Sequence, residues 1–206
     1  MKLNPKFNYP KSIRAYYNGQ RLYDVNNEKL PSVTTILSFT KSKEDKESLE
    51  RWRKKVGTAA AEKITREATS RGSAMHDFLE KFLLGKLNLD LLGDNSLERQ
   101  MADQIIENGL RNRVNEIFGV EVCLFFPHRY AGAADLICEY EGKLSVVDFK
   151  NSNQLRSDQW NTDYYLQLSA YQMAHNKVYG TDINQGVILV CTKDLMFQRF
   201  VIDSER

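Results

Sequence analysis

The sequence predicts an α/β fold in which a central mixed β-sheet is flanked by helices and preceded by a hairpin and a helical region. Three observations carry that prediction. Residues 121–150 hold three runs rich in Val, Ile, Leu and Phe separated by short polar breaks, the mark of adjacent strands. Residues 164–179 repeat at helical spacing and lead into two more strand-like runs, 185–191 and 196–202. A helix between two β-units is the usual crossover of a mixed sheet. The predicted order is helices, three strands, one helix, then two strands. All of it fits one domain over residues 1–206, with a hairpin and helical region over 1–118 and a sheet core over 119–206.

A chain of 206 residues with 42% hydrophobic content can bury one good core. The net charge of +2 does not on its own mark a nucleic-acid binder. No run of 18 apolar residues occurs, so no membrane span is expected. Residues 1–10 have neither an apolar signal core nor an Arg-rich amphipathic pattern. Cys123, Cys138 and Cys191 are odd in number, widely spaced and without a C-x-x-C pair. That argues against a disulfide framework, a zinc site or an iron–sulfur cluster. A reducing, cytoplasmic compartment is the expectation. No P-loop pattern G-x-x-x-x-G-K-[ST] is present, so no ATP chemistry is expected of these residues.

Taken in order, Ile13–Tyr17 and Arg21–Val25 flank Asn18-Gly19, a strong hairpin signal, and the expected role is to cover a sheet edge or helix. Ser32 then caps a helix whose first turn carries the hydroxyls of Thr34 and Thr35. Free N–H groups and hydroxyls at a helix start can grip a phosphate, although capping alone explains the same residues. Residues 41–71 are densely charged and helical, with ten Lys or Arg against six Asp or Glu. Arg51, Arg53, Lys54 and Lys55 surround Trp52. Such a helix could track a nucleic-acid backbone with Trp52 stacked on a base. A solvated helix with i,i+4 ion pairs and Trp52 in the core is the plainer account. Residues 71–84 form an amphipathic pattern with Met75, Phe78, Leu79 and Phe82 as its stripe and His76 beside it. Residues 96–118 predict another helix, with Met101, Ile105, Ile106, Leu110, Val114 and Ile117 inside and Gly119 as its end.

Glu121 opens the first core strand, and it either reaches the site described next or marks a strand end. The following two strands flank Glu141-Gly142. With that pair as the loop, Tyr140 lies opposite Lys143, and the same register puts Asp135 opposite Asp148 with Cβ atoms about 4.5–5.5 Å apart. Lys150 emerges on the same face. Two ionised carboxylates that close repel by roughly 3 kcal/mol at an effective dielectric near 20. A divalent cation relieves this, and hard oxygen ligands suit Mg²⁺ or Mn²⁺. A lysine beside it could orient or deprotonate a water, or neutralise charge on a phosphate. The bland alternative is one Asp buried against a turn and one at the surface. After a polar loop over residues 151–160, Tyr164, Gln167 or Leu168, and Tyr171 share a helix face. A glutamine between tyrosines needs polar partners of its own.

Gly132-x-x-Asp135, Asp148-Phe149-Lys150 and Gln167-x-x-x-Tyr171 together resemble the RecB-like branch of the PD-(D/E)xK nuclease superfamily. Gly72-Ser73-Ala74-Met75-His76 is similar to the histidine motif of that branch. Leu30-Pro31-Ser32-Val33-Thr34, Leu49-Glu50-Arg51-Trp52 and Gly142-Lys143-Leu144 resemble, in order, the mitochondrial genome maintenance exonuclease family and its phage and bacterial relatives. The likeness covers residues 30–175. It implies a restriction-endonuclease-like core and a metal-dependent DNA exonuclease that prefers single strands or free ends. It also implies that Asp135, Asp148, the Phe149 carbonyl and His76 bind Mg²⁺ or Mn²⁺, with Lys150 catalytic and Gln167 and Tyr171 in support. The helical region would form the passage for a threaded strand. Ala134 stands where the superfamily's name has proline, which removes no ligand. The mitochondrial family's targeting segment is not recognisable, so a phage or bacterial source is expected. A structure-selective endonuclease, a non-enzymatic DNA-binding protein, and the nuclease subunit of a helicase complex are the competing functions. A separate helicase or single-strand-binding protein is then the expected partner.

Overall fold

The computed structural model describes residues 1–17, 20–86 and 95–203, so the expected Asn18-Gly19 turn lies outside the described residues. In chain order come β1 (Lys2–Leu3), β2 (Ser12–Tyr17), β3 (Gln20–Val25), β4 (Glu28–Pro31), α1 (Val33–Thr40), α2 (Lys43–Val56), α3 (Thr58–Leu83) and α4 (Leu97–Ile105). A single π-turn (Ile106–Leu110) leads to β5 (Val114–Phe126), β6 (Tyr130–Tyr140) and β7 (Lys143–Ser152). A short 3₁₀ turn (Asp158–Asn161), α5 (Thr162–Tyr179), β8 (Gln185–Thr192) and β9 (Phe197–Asp203) complete the chain. One mixed sheet has the order β1-β5-β6-β7-β8-β9, and β2-β3-β4 form a second, antiparallel one. β7 and β8 are parallel, as the α5 crossover requires.

Helices cover both faces of the large sheet. On one side Met75, Leu79, Met101, Ile105 and Leu110 pack against Leu136, Val147, Val187 and Leu189. On the other, Leu168, Tyr171 and Ala174 of α5 meet Ile137, Val146, Ile188 and Val190. With both faces covered, every residue of β8 is buried, which is why its sequence is a continuous apolar run without alternation. Tyr23, Val25 and Leu30 seat the small sheet on Cys123, Phe125 and Ala131. All three cysteines are free and buried. No helix among the described residues is long and apolar enough to cross a membrane.

Three expected boundaries are corrected. The predicted helix over 96–118 ends near Leu110, and β5 is already under way at Val114, so the sheet core begins before residue 119. Val114 and Ile117 are both buried at a spacing of three because the β5–β6 register shifts between them. A bulge adds one residue to a strand and so imitates a helical step. Second, residues 71–84 are not a separate helix but the last half of α3, which runs unbroken through Gly72. The break in the charged region falls instead at Gly57, whose φ of 85° ends α2. Third, β4 makes the N-terminal hairpin a three-stranded sheet.

Candidate active site

The site is created by an irregularity shared by β5 and β6. Val120 pairs with Leu136, and Val122 with Ala134. Residues two apart in a strand normally share a face. Here Val120 and Leu136 pack on the α3/α4 side, whereas Val122 and Ala134 pack on the α5 side. Both strands therefore exchange faces at the level of Glu121 and Asp135. Glu121 takes a φ of 50°, a left-handed conformation that costs a non-glycine residue about 1–2 kcal/mol. The β6–β7 ladder stops at the same level, with Leu136 opposite Val147 as its last pair. One Asp135 carboxylate oxygen accepts the Phe149 N–H at 2.7 Å in place of a further ladder bond.

The expected cross-strand pair of Asp135 and Asp148 is thus corrected. Both carboxylates are buried, but each serves a different helix. Asp135 faces α3, where His76 Nδ1 lies 3.7 Å from Asp135 Oδ1 and 3.7 Å from Glu121 Oε1. The other ring nitrogen, Nε2, lies 3.0 Å from the Phe149 carbonyl, an N–H donor geometry that turns Nδ1 toward the carboxylates. His76, Glu121 and Asp135 each offer one ligand atom within 4.8 Å of one another. Burial and then the charge of Asp148 push the Asp135 carboxyl up to about 7. Burial pulls the His76 imidazole down, but Asp135 and Glu121 outweigh it and push it up to about 9. Two close carboxylates and an imidazole fit a divalent cation well.

Asp148 faces α5. Gln167 Nε2 donates to Asp148 Oδ1 at 3.0 Å and lies 3.4 Å from the Tyr171 hydroxyl. Lys150 forms an ion pair with the other Asp148 oxygen, and its ammonium sits 5.0 Å from the centre of the Tyr164 ring. Burial opposes the charge of Lys150, but Asp148 and Asp135 outweigh it and raise its pKa above the ordinary lysine value. Tyr171, raised well above the usual phenol range mainly by burial, stays protonated. The hydroxyl end of the Tyr171 ring lies against Gly132, where an added Cβ would come within 2.6 Å of the hydroxyl oxygen.

A cleft of about 390 Å³ opens over these groups. Its walls include Ser32 and Thr34 at the start of α1, as well as His76, Glu121, Asp135, Gln167 and Tyr171. Ser32 is buried and acts as the helix cap, accepting the Thr35 N–H at 3.0 Å and donating to the Thr35 hydroxyl at 2.7 Å. Thr35 does not line the cleft. Arg51, Arg53, Lys54 and Lys55 are exposed on α2, away from the cleft. Trp52 is neither bare nor part of the core. It is half-buried in a separate groove beside Arg71, Asn151 and Arg156. Asp148, expected as a ligand, is held by Gln167 and Lys150, and Glu121 stands with His76 and Asp135 in the trio.

Sequence reasoning missed Arg14, Arg21 and Tyr23, which form the wall facing α3. Their signal was the alternation of Arg14 and Tyr16 on one strand with Arg21 and Tyr23 on the next, which puts all four on one face.

A family model described as the PD-(D/E)XK nuclease superfamily matches residues 94–199. The chain belongs to that superfamily. The match takes in β5 to β8 and therefore Glu121, Asp135, Asp148, Lys150, Gln167 and Tyr171, whereas His76 and the wall from β2 to α1 lie outside it. As a PD-(D/E)XK protein the chain is also similar to "Mitochondrial genome maintenance exonuclease 1" of Homo sapiens, at 30% identity over 176 residues, 80% of this chain and 50% of that protein. The Mus musculus protein of the same name is 33% identical over 176 residues, again 80% and 50%. That of Xenopus tropicalis is 30% identical over 179 residues, 82% of this chain and 50% of that protein. The chain spans about half the length of these curated relatives.

Proposed function

We propose that this chain is a Mg²⁺- or Mn²⁺-dependent DNA exonuclease that hydrolyses phosphodiester bonds in a single strand or at free DNA ends. The observation that carries the proposal is a cation-shaped trio lining one cleft, with the Asp148–Lys150 ion pair joined to it through the Phe149 backbone. The relatives' printed name supports the exonuclease part. His76, Glu121 and Asp135 would hold the cation, with the Asp148 carboxylate close beside Asp135. A hard divalent cation bound there lowers the pKa of water and neutralises charge on a phosphoryl oxygen. In the hydrolysis, water oxygen bonds to phosphorus, the bond to the leaving oxygen breaks, and that oxygen gains a proton.

The chain's own residues divide that work. Lys150, raised in pKa by Asp148 and Asp135, would act as a donor to the charge that develops on the phosphoryl oxygens or would orient the attacking water. Gln167 fixes Asp148, and Tyr171, packed on Gly132, fixes Gln167. With no P-loop in these residues, a helicase or single-strand-binding partner would present the strand.

Digestion of end-labelled linear and circular single-stranded DNA with Mg²⁺, Mn²⁺ or EDTA tests the proposal, beside Asp148→Ala. Cation-dependent loss of the linear strand alone, abolished in the variant, is expected. Cutting of the circle would make the protein an endonuclease, and binding without turnover would leave a DNA-binding module.

A further inference from the structure

The two walls of the cleft carry opposite charge. On one side stand His76, Asp77, Glu80, Glu121 and Asp135; on the other, Arg14 and Arg21 with the hydroxyls of Ser32 and Thr34. The arginine wall is built, not incidental. Arg14 lies directly opposite Tyr23 across the β2–β3 ladder, and Arg21 follows on the same face. Tyr23 is buried, belongs to the core cluster that joins the small sheet to β5 and β6, and bonds to the backbone at Ala133. The β2–β3 hairpin that carries both arginines is thereby fixed against the strand that carries Asp135. Arg21 is steadied further by Tyr16, whose hydroxyl accepts from Arg21 Nη2 at 3.1 Å. Neither Arg14 nor Arg21 is paired with a carboxylate among the described residues.

Two arginines that line a cleft without a carboxylate of their own lack the partner that a guanidinium fits best, a phosphate. A cleft of about 390 Å³ is at the small end of ligand sites, which run from about 300 to 1,000 Å³. It has room for one strand's sugar–phosphate unit.

We propose that Arg14 and Arg21 of the β2–β3 hairpin bind the phosphodiester next to the scissile one and hold a single strand across the Asp135–Lys150 site. The proposal rests on the nuclease reading above. It gives the hairpin a substrate-positioning role in place of the covering role its sequence suggests.

The test uses the full chain with Arg14→Ala, Arg21→Ala, the double variant and the double Arg→Lys variant. Three measurements are made: steady-state cleavage of a single-stranded oligonucleotide, its binding by fluorescence anisotropy with Ca²⁺ across a salt series, and Mn²⁺ binding by calorimetry. Each alanine variant should raise KM about fivefold to tenfold with kcat little changed, and the slope of log affinity against log salt should fall by about 0.7 per arginine removed. Mn²⁺ affinity should stay at the wild-type value, and the lysine variant should restore the slope. An unchanged KM and salt slope in the double variant, with the wild type active, would overturn the proposal. So would a loss of melting temperature and Mn²⁺ affinity together, which would show that the arginines only support the fold. Absence of turnover in the wild type would instead refute the nuclease reading, and the anisotropy series would still report on the arginines.

Discussion

Glu121→Gly should make the protein more stable without a divalent cation and less stable with one. Glu121 holds a φ of 50° inside β5, and releasing that conformation gains about 1–2 kcal/mol. Glycine returns about 0.5–1 kcal/mol of this through its larger unfolded-state freedom. The lost carboxylate stood near both Asp135 and His76, so its repulsive and attractive contributions largely cancel. The net gain is about 0.5–1 kcal/mol, which in a chain of this size raises the melting temperature by about 1–4 °C.

The cation reverses the order. At a Mn²⁺ concentration 100 times its own Kd the wild type gains about 2.7 kcal/mol. A variant that has lost one of three ligands, with affinity reduced about 100-fold, gains only about 0.4 kcal/mol at the same concentration. The wild type should then melt about 3–6 °C above the variant. Differential scanning calorimetry with EDTA and with Mn²⁺ reads both signs. Glu121→Gln, which keeps the strained backbone, should lose the cation response without gaining cation-free stability. A Glu121→Gly melting temperature below that of the wild type in EDTA, or equal stabilisation of both proteins by Mn²⁺, would refute the strained-ligand role of Glu121.

The pH dependence follows from His76, pushed up to about 9 from an ordinary value of 6.5. Its proton must leave when a cation binds, so Mn²⁺ affinity should rise about tenfold per unit between about pH 7 and 9, with close to one proton released, and His76→Gln should flatten the rise. Without a cation the sign is opposite: the stability His76 contributes is complete below pH 6.5 and is lost as pH rises through 9, so the EDTA melting temperature should fall across that window. Gly132→Ala would drive a Cβ to within 2.6 Å of the Tyr171 hydroxyl. It should cost about 1–3 kcal/mol in a denaturant melt and lower kcat through the displaced Tyr171 and Gln167. Lys150→Met leaves the buried Asp148 without its ion-pair partner, which should cost about 3–5 kcal/mol. Adding Asp148→Asn should recover most of that stability with no activity, separating the structural role of the pair from its chemistry.

Much of the site could be read from one residue type at one spacing. Gln167 and Tyr171 sit one helical turn apart, and a glutamine held among tyrosines had to find polar partners; it found Asp148. Lys150 follows Asp148 by two residues on a strand, and the pair meets as strand geometry requires. The hairpin arithmetic holds from Tyr140–Lys143 down to Leu136–Val147. What the sequence concealed are the places where β5 departs from regularity. Its shifted register put Val114 and Ile117 three apart in the core, which imitated a helix and hid the first turns of the strand. The wall made by Arg14 and Arg21 was hidden for another reason: no local pattern says where a small sheet will dock, and only the packing of Tyr23 on Cys123 and Phe125 decides it.

The same irregularity explains why the two aspartates do different work. Had the β6–β7 ladder run one pair further, Asp135 and Asp148 would stand side by side on the α5 face, about 5 Å apart, with α3 and His76 on the other side of the sheet. The exchange of faces at Glu121 and Asp135 ends the ladder early and turns Asp135 through to α3. Asp148 stays on the α5 side, where Gln167 and Lys150 meet it. A single break therefore gives a hard-cation trio and an ammonium-bearing pair from carboxylates thirteen residues apart in sequence. The Phe149 backbone joins them, donating its N–H to Asp135 and accepting from His76 through its carbonyl. Because that link runs through the main chain between Asp148 and Lys150, a shift of either half moves the other.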